Sequence, residues 1–225
     1  MKRLLIAIIL CFVIALPLLA RENLIIQSRE LLEELEESVD RSLFTSLLRR
    51  AEGVAIFPEV KRVGLFLGGY FGEGLVLRKD KKGRFFGPAF LKIEGLSVGP
   101  QIGVQVQGLV LLLMNRQGIE AFYKDGFTLG GNISIAAGPL GRGFSAGVDT
   151  ELSSSIYAYA IARGFFAGIS IEGARIRDNK KANEAFFGRK TSVQEILTEK
   201  QAEDRATREL IRTIRRLRLG EGEET

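Results

Sequence analysis

From Val54 to Glu172 the chain is built of short β-branched and aromatic runs cut by glycine, and most of its 26 glycines lie there. That texture predicts many strands joined by tight turns. Glycine inside a strand packs no side chain and adds backbone entropy to the unfolded chain, so so many need a structural reason. Bulges, sharp corners of a barrel-like sheet and the close approach of another backbone all demand residues without a Cβ. A structural role is expected ahead of ligand cradling. Gly68-Gly69-Tyr70-Phe71-Gly72-Glu73-Gly74 lacks the Gly-Lys-Ser/Thr ending and the following helix of a phosphate loop.

Within this stretch Gln101 to Gln107 alternates Ile102, Val104 and Val106 with polar or small residues, which predicts one buried face and one wet face. Leu109 to Met114 reads as a strand apolar on both faces. Asn115 is placed to cap a short helix through Phe122 and Tyr123 closed by Gly126. Lys79-Asp80-Lys81-Lys82-Gly83 and Gly138-Pro139-Leu140-Gly141 read as turns. Tyr157 to Ile161 and Phe165 to Ile171 read as two further strands around Arg163-Gly164.

Helices flank the sheet. Over residues 22 to 50, Leu31, Leu35, Val39, Leu43 and Leu47 recur every four residues, and glutamates precede arginines in the order that suits a helix dipole, with Gly53 as a stop. Near the other end Ser192 and Glu195 form a capping box opening a helix that reaches about Leu219. At about 100° per residue it gathers Ala206, Leu210, Ile214 and Leu217 on one face and Arg205, Arg208, Arg212, Arg215 and Arg216 on the other. The basic face serves either as a solvated surface or as a contact for an anionic membrane. Glu221 to Thr225 is an acidic tail. The fold class expected is α+β and mainly β: a glycine-rich antiparallel sheet or barrel-like domain between a long N-terminal helix and a C-terminal amphipathic helix.

The first twenty residues carry the parts of an export signal in order: Lys2 and Arg3, the apolar run Leu4 to Leu16, then Pro17-Leu18-Leu19-Ala20. A cut after Ala20 leaves Arg21 first; uncut, Leu4 to Ala20 is just long enough to serve as an anchor. Cys11 follows Leu10 rather than a small residue, so it reads as part of the apolar run and not as a lipoprotein cysteine. The organisation expected is 1–20 signal or uncleaved anchor, 21–53 helix, 54–197 β-rich domain, and 198–225 basic helix with acidic tail.

Removing the signal also removes the only cysteine, and the chain has no histidine. Disulfides, Cys/His zinc sites, a Ser-His-Asp triad and a Cys-His dyad are then impossible. Glu73, Glu94, Asp149, Glu151 and Glu172 are available carboxylates, and none is marked as one of a tuned pair. The expectation is a protein that is not an enzyme, with no cofactor, metal or nucleic acid. The net charge of +5 falls to +3 once Lys2 and Arg3 leave, so the distribution of charge matters more than its total.

Arg163-Gly-Phe-Phe-Ala-Gly-Ile-Ser-Ile-Glu-Gly173 resembles the Gly-Leu-Phe-Ala-Gly-Val-Ser-Leu-Glu-Gly string of the SYLF family. Ala51 to Pro58, Gly83 to Pro88, Leu129 to Asn132, Ala137 to Arg142, Phe186 to Gly188 and Ile196-Leu197 resemble its other blocks in order. The chain departs from the family at Phe85 and Phe86, at Gly108, and at Ala158 and Ala160, each time toward an apolar or smaller residue. The resemblance implies membrane lipid: eukaryotic members bind phosphoinositides and in some cases actin filaments, and bacterial members are mostly exported or lipoprotein-type lipid-binding proteins. With the basic helix, it leads to the expectation of a periplasmic or secreted, membrane-associated protein that binds anionic lipids. The contacts would be Arg205, Arg208, Arg212, Arg215 and Arg216, with Lys61 and Arg62 as a second patch. The alternative is a protein-interaction module of the cell envelope. Sequencing the N-terminus of the exported protein separates cleavage from anchoring: Arg21 as first residue is the expected result, and Met1 or Lys2 establishes the anchor.

Overall fold

The structure is a computed structural model. It describes residues 2–39, 41–131, 133–138, 154–162, 165–166, 173–201 and 203–220, with backbone alone at 2–19, 64–67, 97–104, 162 and 165–166. The elements run α1 (Lys2–Ser38), α2 (Arg41–Arg50), β1 (Gly53–Lys79), β2 (Phe85–Leu113), α3 (Arg116–Ala121), β3 (Phe127–Thr128), β4 (Ile135–Ala137), β5 (Ile156–Ala162), β6 (Phe165–Phe166), β7 (Arg175–Asp178), α4 (Lys180–Phe187), α5 (Val193–Glu199) and α6 (Arg205–Leu219). The fold class is the expected one, α+β with one curled sheet.

Instead of many short strands, the sheet is dominated by two very long ones, β1 with 27 residues and β2 with 29. They pair as one antiparallel hairpin from Gly53↔Leu113 to Lys79↔Phe85, with register shifts at Phe57/Val60, Leu65/Leu67 and Val76/Arg78. The glycines and bulges that suggested breaks are bends within continuous strands. The hairpin folds double, so the end of β1 returns to its beginning: Lys79 N donates to Glu52 O at 2.7 Å. Where the two halves of β1 cross there is no space for a side chain. A Cβ on Gly74 would sit 2.4 Å from Ile56 O, and one on Gly72 would sit 2.5 Å from Glu59 O. Gly53, expected as a helix stop, instead opens β1, where a Cβ would lie 2.8 Å from Leu77 O.

The free edge of β2 takes β7 along Leu91–Glu94 and β5 along Gly108–Leu113, while β4 joins β5 in parallel and β3 joins β7. Beyond β7 the edge is closed by a side chain: Asn183 of α4 accepts from Phe90 N at 2.7 Å and donates to Phe90 O at 3.0 Å. The sheet has a core on each face. Val54, Ile56, Val110, Leu112, Tyr157 and Tyr159 point to the face covered by α1, α2 and α6. Ala55, Phe57, Leu109, Leu111, Ala158 and Ala160 point to the inner face, with α3 and α5. The apolar departures from the family pattern lie in these interiors. Phe85, Phe86, Ala158 and Ala160 are buried, and Gly108 lets Leu31 of α1 come down on the strand, where a Cβ would lie 2.2 Å from Leu31 Cδ1.

Three sequence readings are corrected. The single helix over 22–50 is two, α1 and α2. A repeat of four residues drifts about 40° per step, so a straight helix cannot hold Leu31 through Leu47 on one face. The break restores burial by turning Phe44, Leu47 and Leu48 inward, with Phe44 edge-on to Tyr159 at 5.3 Å. At its other end α1 runs without interruption back to Lys2. The helix expected from Ser192 to Leu219 is also two. Ser192 caps α5, accepting from Glu195 N at 3.1 Å, but Lys200–Gln201 leaves the helix to bond β2, with Gly87 N donating to Lys200 O at 2.9 Å and Phe86 bridging Gln201. In the strand Gln101–Gln107 the expected faces are reversed at its end: Val106 is 40% exposed and Gln107 only 4%. Gln107 points to the inner face with Leu109, and Val106 lies on the helix side beyond the cover of the helices.

Other readings hold. Leu109–Leu113 is buried throughout, Asn115 caps α3 by accepting from Gly118 N at 3.0 Å, and Asp80–Gly83 turns between β1 and β2. Residues 139–141, 163–164 and 167–172, Asp149, Glu151, Glu172 and the tail 221–225 lie outside the described residues.

Gly74→Val is expected to lower the free energy of unfolding by about 2 kcal/mol or more, because backbone rather than a yielding side chain occupies the space. Gly69→Ala, whose Cβ would meet its nearest atom at 3.5 Å, is expected to change it by about 0.5 kcal/mol or less. Urea unfolding of both variants checks the crossing.

Candidate functional site

α6 is a rigid mount for its arginines. Asp204 caps it by accepting from Thr207 N at 2.8 Å, and Gly220 closes it in the left-handed conformation at φ 72°. Leu210, Ile211, Ile214 and Leu217 are buried in the helix-side core, each contributing roughly 1.5–3 kcal/mol. α6 runs parallel to α1, and the pairing repeats turn by turn: Arg29 with Glu209 at 3.3 Å, Glu33 with Thr213 at 3.3 Å and Glu36 with Arg216 at 3.4 Å. The apolar face therefore cannot roll outward, and the opposite face is held in water.

The five predicted arginines divide. Arg205 binds Glu209 at 2.9 Å, which raises its pKa, and Arg216 is held by Glu36. Arg208, Arg212 and Arg215 are exposed and have no carboxylate within 4.0 Å among the described residues. Arg208 donates to the Glu203 carbonyl, and Arg215 lies over the Phe85 ring at 5.7 Å. The second patch is not part of this surface. Lys61 pairs with Glu59 at 3.3 Å and Arg62 stacks over Tyr70 at 5.9 Å, both on β1.

A third group of cations escaped the sequence reading. Lys79 Nζ and Arg218 Nη2 both donate to Arg49 O, at 3.2 and 3.1 Å, and Arg49 Nε donates to Arg218 O at 3.1 Å. Lys79 and Arg218 border a cavity of about 740 Å³ that Arg78, Lys81, Glu52 and Asp80 also line. Burial, then Arg218, pushes the Lys79 pKa down; burial, then Arg49 and Arg215, pushes down that of Arg218. These residues come from the ends of α2, β1 and α6. The visible signal was that Arg49 and Arg218 each close a helix, where cations meet the dipole.

Of the carboxylates considered for chemistry, the two among the described residues are engaged with cations. Glu73 holds Arg21 at 2.7 Å and Glu94 holds Arg177 at 2.7 Å. Among the residues described with their side chains, which leave out 2–19, there is no group of three or more metal-ligating side chains and no helix long and apolar enough to cross a membrane.

A family model described as "Ysc84: Las17-binding protein actin regulator" matches residues 94–217. The chain is 37% identical over 150 residues to an SH3 domain-containing YSC84-like protein 1 of Xenopus laevis, a match covering 66% of this chain and 44% of that protein. It is 34% identical over 159 residues to the Homo sapiens protein of the same name, covering 70% and 46%. Against Protein YSC84 of Saccharomyces cerevisiae it is 34% identical over 155 residues, covering 68% and 33%. The chain thus spans less than half the length of these relatives.

Lys79 gives a pH signature. Its folded pKa lies below the ordinary 10.5, so its charge costs stability below the folded value and the cost fades as pH rises through that value toward 10.5. The stability of the unaltered protein relative to Lys79→Met is expected to rise over that interval in thermal melts; parallel profiles would refute the lowering of the Lys79 pKa by burial and Arg218.

Proposed function

Since the chain belongs to the Ysc84, or SYLF, family, we propose that it is an exported protein that associates with anionic phospholipid membranes through this domain and its basic side chains. The observation that carries this reading is the outward set Arg208, Arg212 and Arg215, held on a helix whose other face is locked in the core. Near an anionic surface each arginine is worth about 1 kcal/mol. Arg205 and Arg216 contribute less because carboxylates already neutralise them. Export is supported by Lys2, Arg3 and the apolar run that follows, placing the protein in the periplasm or outside the cell at a membrane. If the run is retained, the inner membrane holds it.

The second reading is a protein-interaction module of the envelope. The family's description, Las17 binding and actin regulation, favours a protein partner. Vesicles separate the two. The full chain is expected to sediment with anionic and not with neutral vesicles. Replacing Arg208, Arg212 and Arg215 with Ala is expected to weaken binding about a hundredfold, the equivalent of roughly 3 kcal/mol. High salt should reduce binding of the unaltered protein. Equal pelleting of both forms on both vesicles, unchanged by salt, would contradict the arginine reading.

A further inference from the structure

Among the described residues five large apolar side chains are exposed, and four of them, Val63, Phe71, Leu96 and Val106, lie on the two strands of the hairpin around its bend. Leu96 is 88% exposed and Phe71 55%. Strand alternation settles which way they point. In β2 the even positions Phe90, Val110 and Leu112 enter the helix-side core and the odd positions Leu91, Ile93 and Leu109 the inner one. Leu96 and Val106 therefore face the helix side. In β1 the bulge between Phe57 and Val60 shifts the alternation by one. Val60 and Tyr70 are then inner residues, and Val63 and Phe71 face the helix side too. The four are the continuation of the helix-side core, past the point where the helices stop covering it.

α1 leaves the domain at the same place. Ala20, Leu24 and Gln27 line a groove of about 470 Å³ with Phe71, the cations Lys61 and Lys92, and the carboxylates Glu59, Glu73 and Glu94. N-terminal to Ala20 the helix continues to Lys2, and its sequence from Leu4 to Leu19 carries no charge. The helix from which this run extends and the uncovered apolar stretch of sheet thus border one groove, whose lysines Lys61 and Lys92 are neutralised by Glu59 at 3.3 Å and Glu73 at 3.8 Å. This is the layout of a surface that enters the boundary between headgroups and acyl chains. The arginines of α6 point away from the sheet on this same helix-bearing side, since the opposite face of α6 is buried in the helix-side core.

We infer that the bend of the hairpin, through Val63, Phe71, Leu96 and Val106, is a bilayer-inserting surface that docks beside the N-terminal run of α1. The inference rests on the membrane reading above and adds an apolar contact to its electrostatic one. In the uncut chain a bilayer is the occupant that also accounts for the uncharged run of α1 beyond Ala20.

The chain contains no tryptophan, so Phe71→Trp, Leu96→Trp and Tyr123→Trp each give the full-length protein a sole reporter. Tyr123 follows α3 and packs against the inner core. With phosphatidylcholine–phosphatidylglycerol vesicles carrying brominated acyl chains, quenching is expected at positions 71 and 96 and not at 123. Sedimentation with vesicles but without quenching at 71 and 96 would overturn the inference and leave the arginine reading standing; failure to sediment would overturn both. Concentration-dependent blue shifts at 71 and 96 without lipid would assign the surface to a second copy of the chain. The double variant Phe71→Asp, Leu96→Asp, changed only at exposed positions, is expected to partition at least about tenfold more weakly at high salt, where arginine attraction is screened. Unchanged partition would likewise overturn it.

Discussion

The fold depends on the crossing where β1 closes on itself. Gly72 and Gly74 face the backbone of Ile56 to Val60 across a gap too small for any Cβ, and the bond from Lys79 N to Glu52 O ties the tip of the hairpin to its open end. A hairpin this long would otherwise be a flat ribbon with two exposed edges. Doubling it gives a curled sheet with an inside and an outside, and leaves one edge of β2 to recruit β7 and β5 at its two halves. The inside fills with Phe57, Leu91, Leu109 and Leu111. The outside needs a cover, which α1, α2 and α6 supply.

That cover explains the geometry of the basic surface. α6 lies parallel to α1 with three cross-links in register, so burial of its leucines and isoleucines fixes the direction of its arginines. Two of the five are spent on carboxylates, one of them on Glu36 of α1, and three stay outward. The same cover is incomplete toward the bend, where the helix-side face of the sheet runs out from under α1 into solvent. Charge and apolar surface therefore arise on one side of the molecule from a single cause, the placement of the helix layer on a sheet longer than it.

Much of this was legible locally. The caps at Asn115 and Ser192 and the doubly apolar Leu109–Leu113 were readable because their determinants are neighbours in sequence. The glycines signalled close approach, but a chain carries no mark saying that residue 74 meets residue 56, so strand length was misread as strand number. The breaks after Ser38 and Glu199 were hidden for a related reason: helix propensity continues through both, and tertiary partners decide, Tyr159 for Phe44 and β2 for Lys200. At the site, the arginine stripe was visible from its period, while the loss of Arg216 to Glu36 and the gathering of Arg49, Lys79 and Arg218 were not, since each joins distant segments.

The proposed function requires the helix-bearing side of the domain to meet anionic lipid. Photo-crosslinking from single positions of the full-length protein tests it most directly. A photoreactive side chain in place of Arg212 is expected to capture phosphatidylglycerol from mixed vesicles, and one in place of Lys124, beyond α3, is expected to capture none. Equal capture at both positions, or capture at Lys124 alone, would contradict the account.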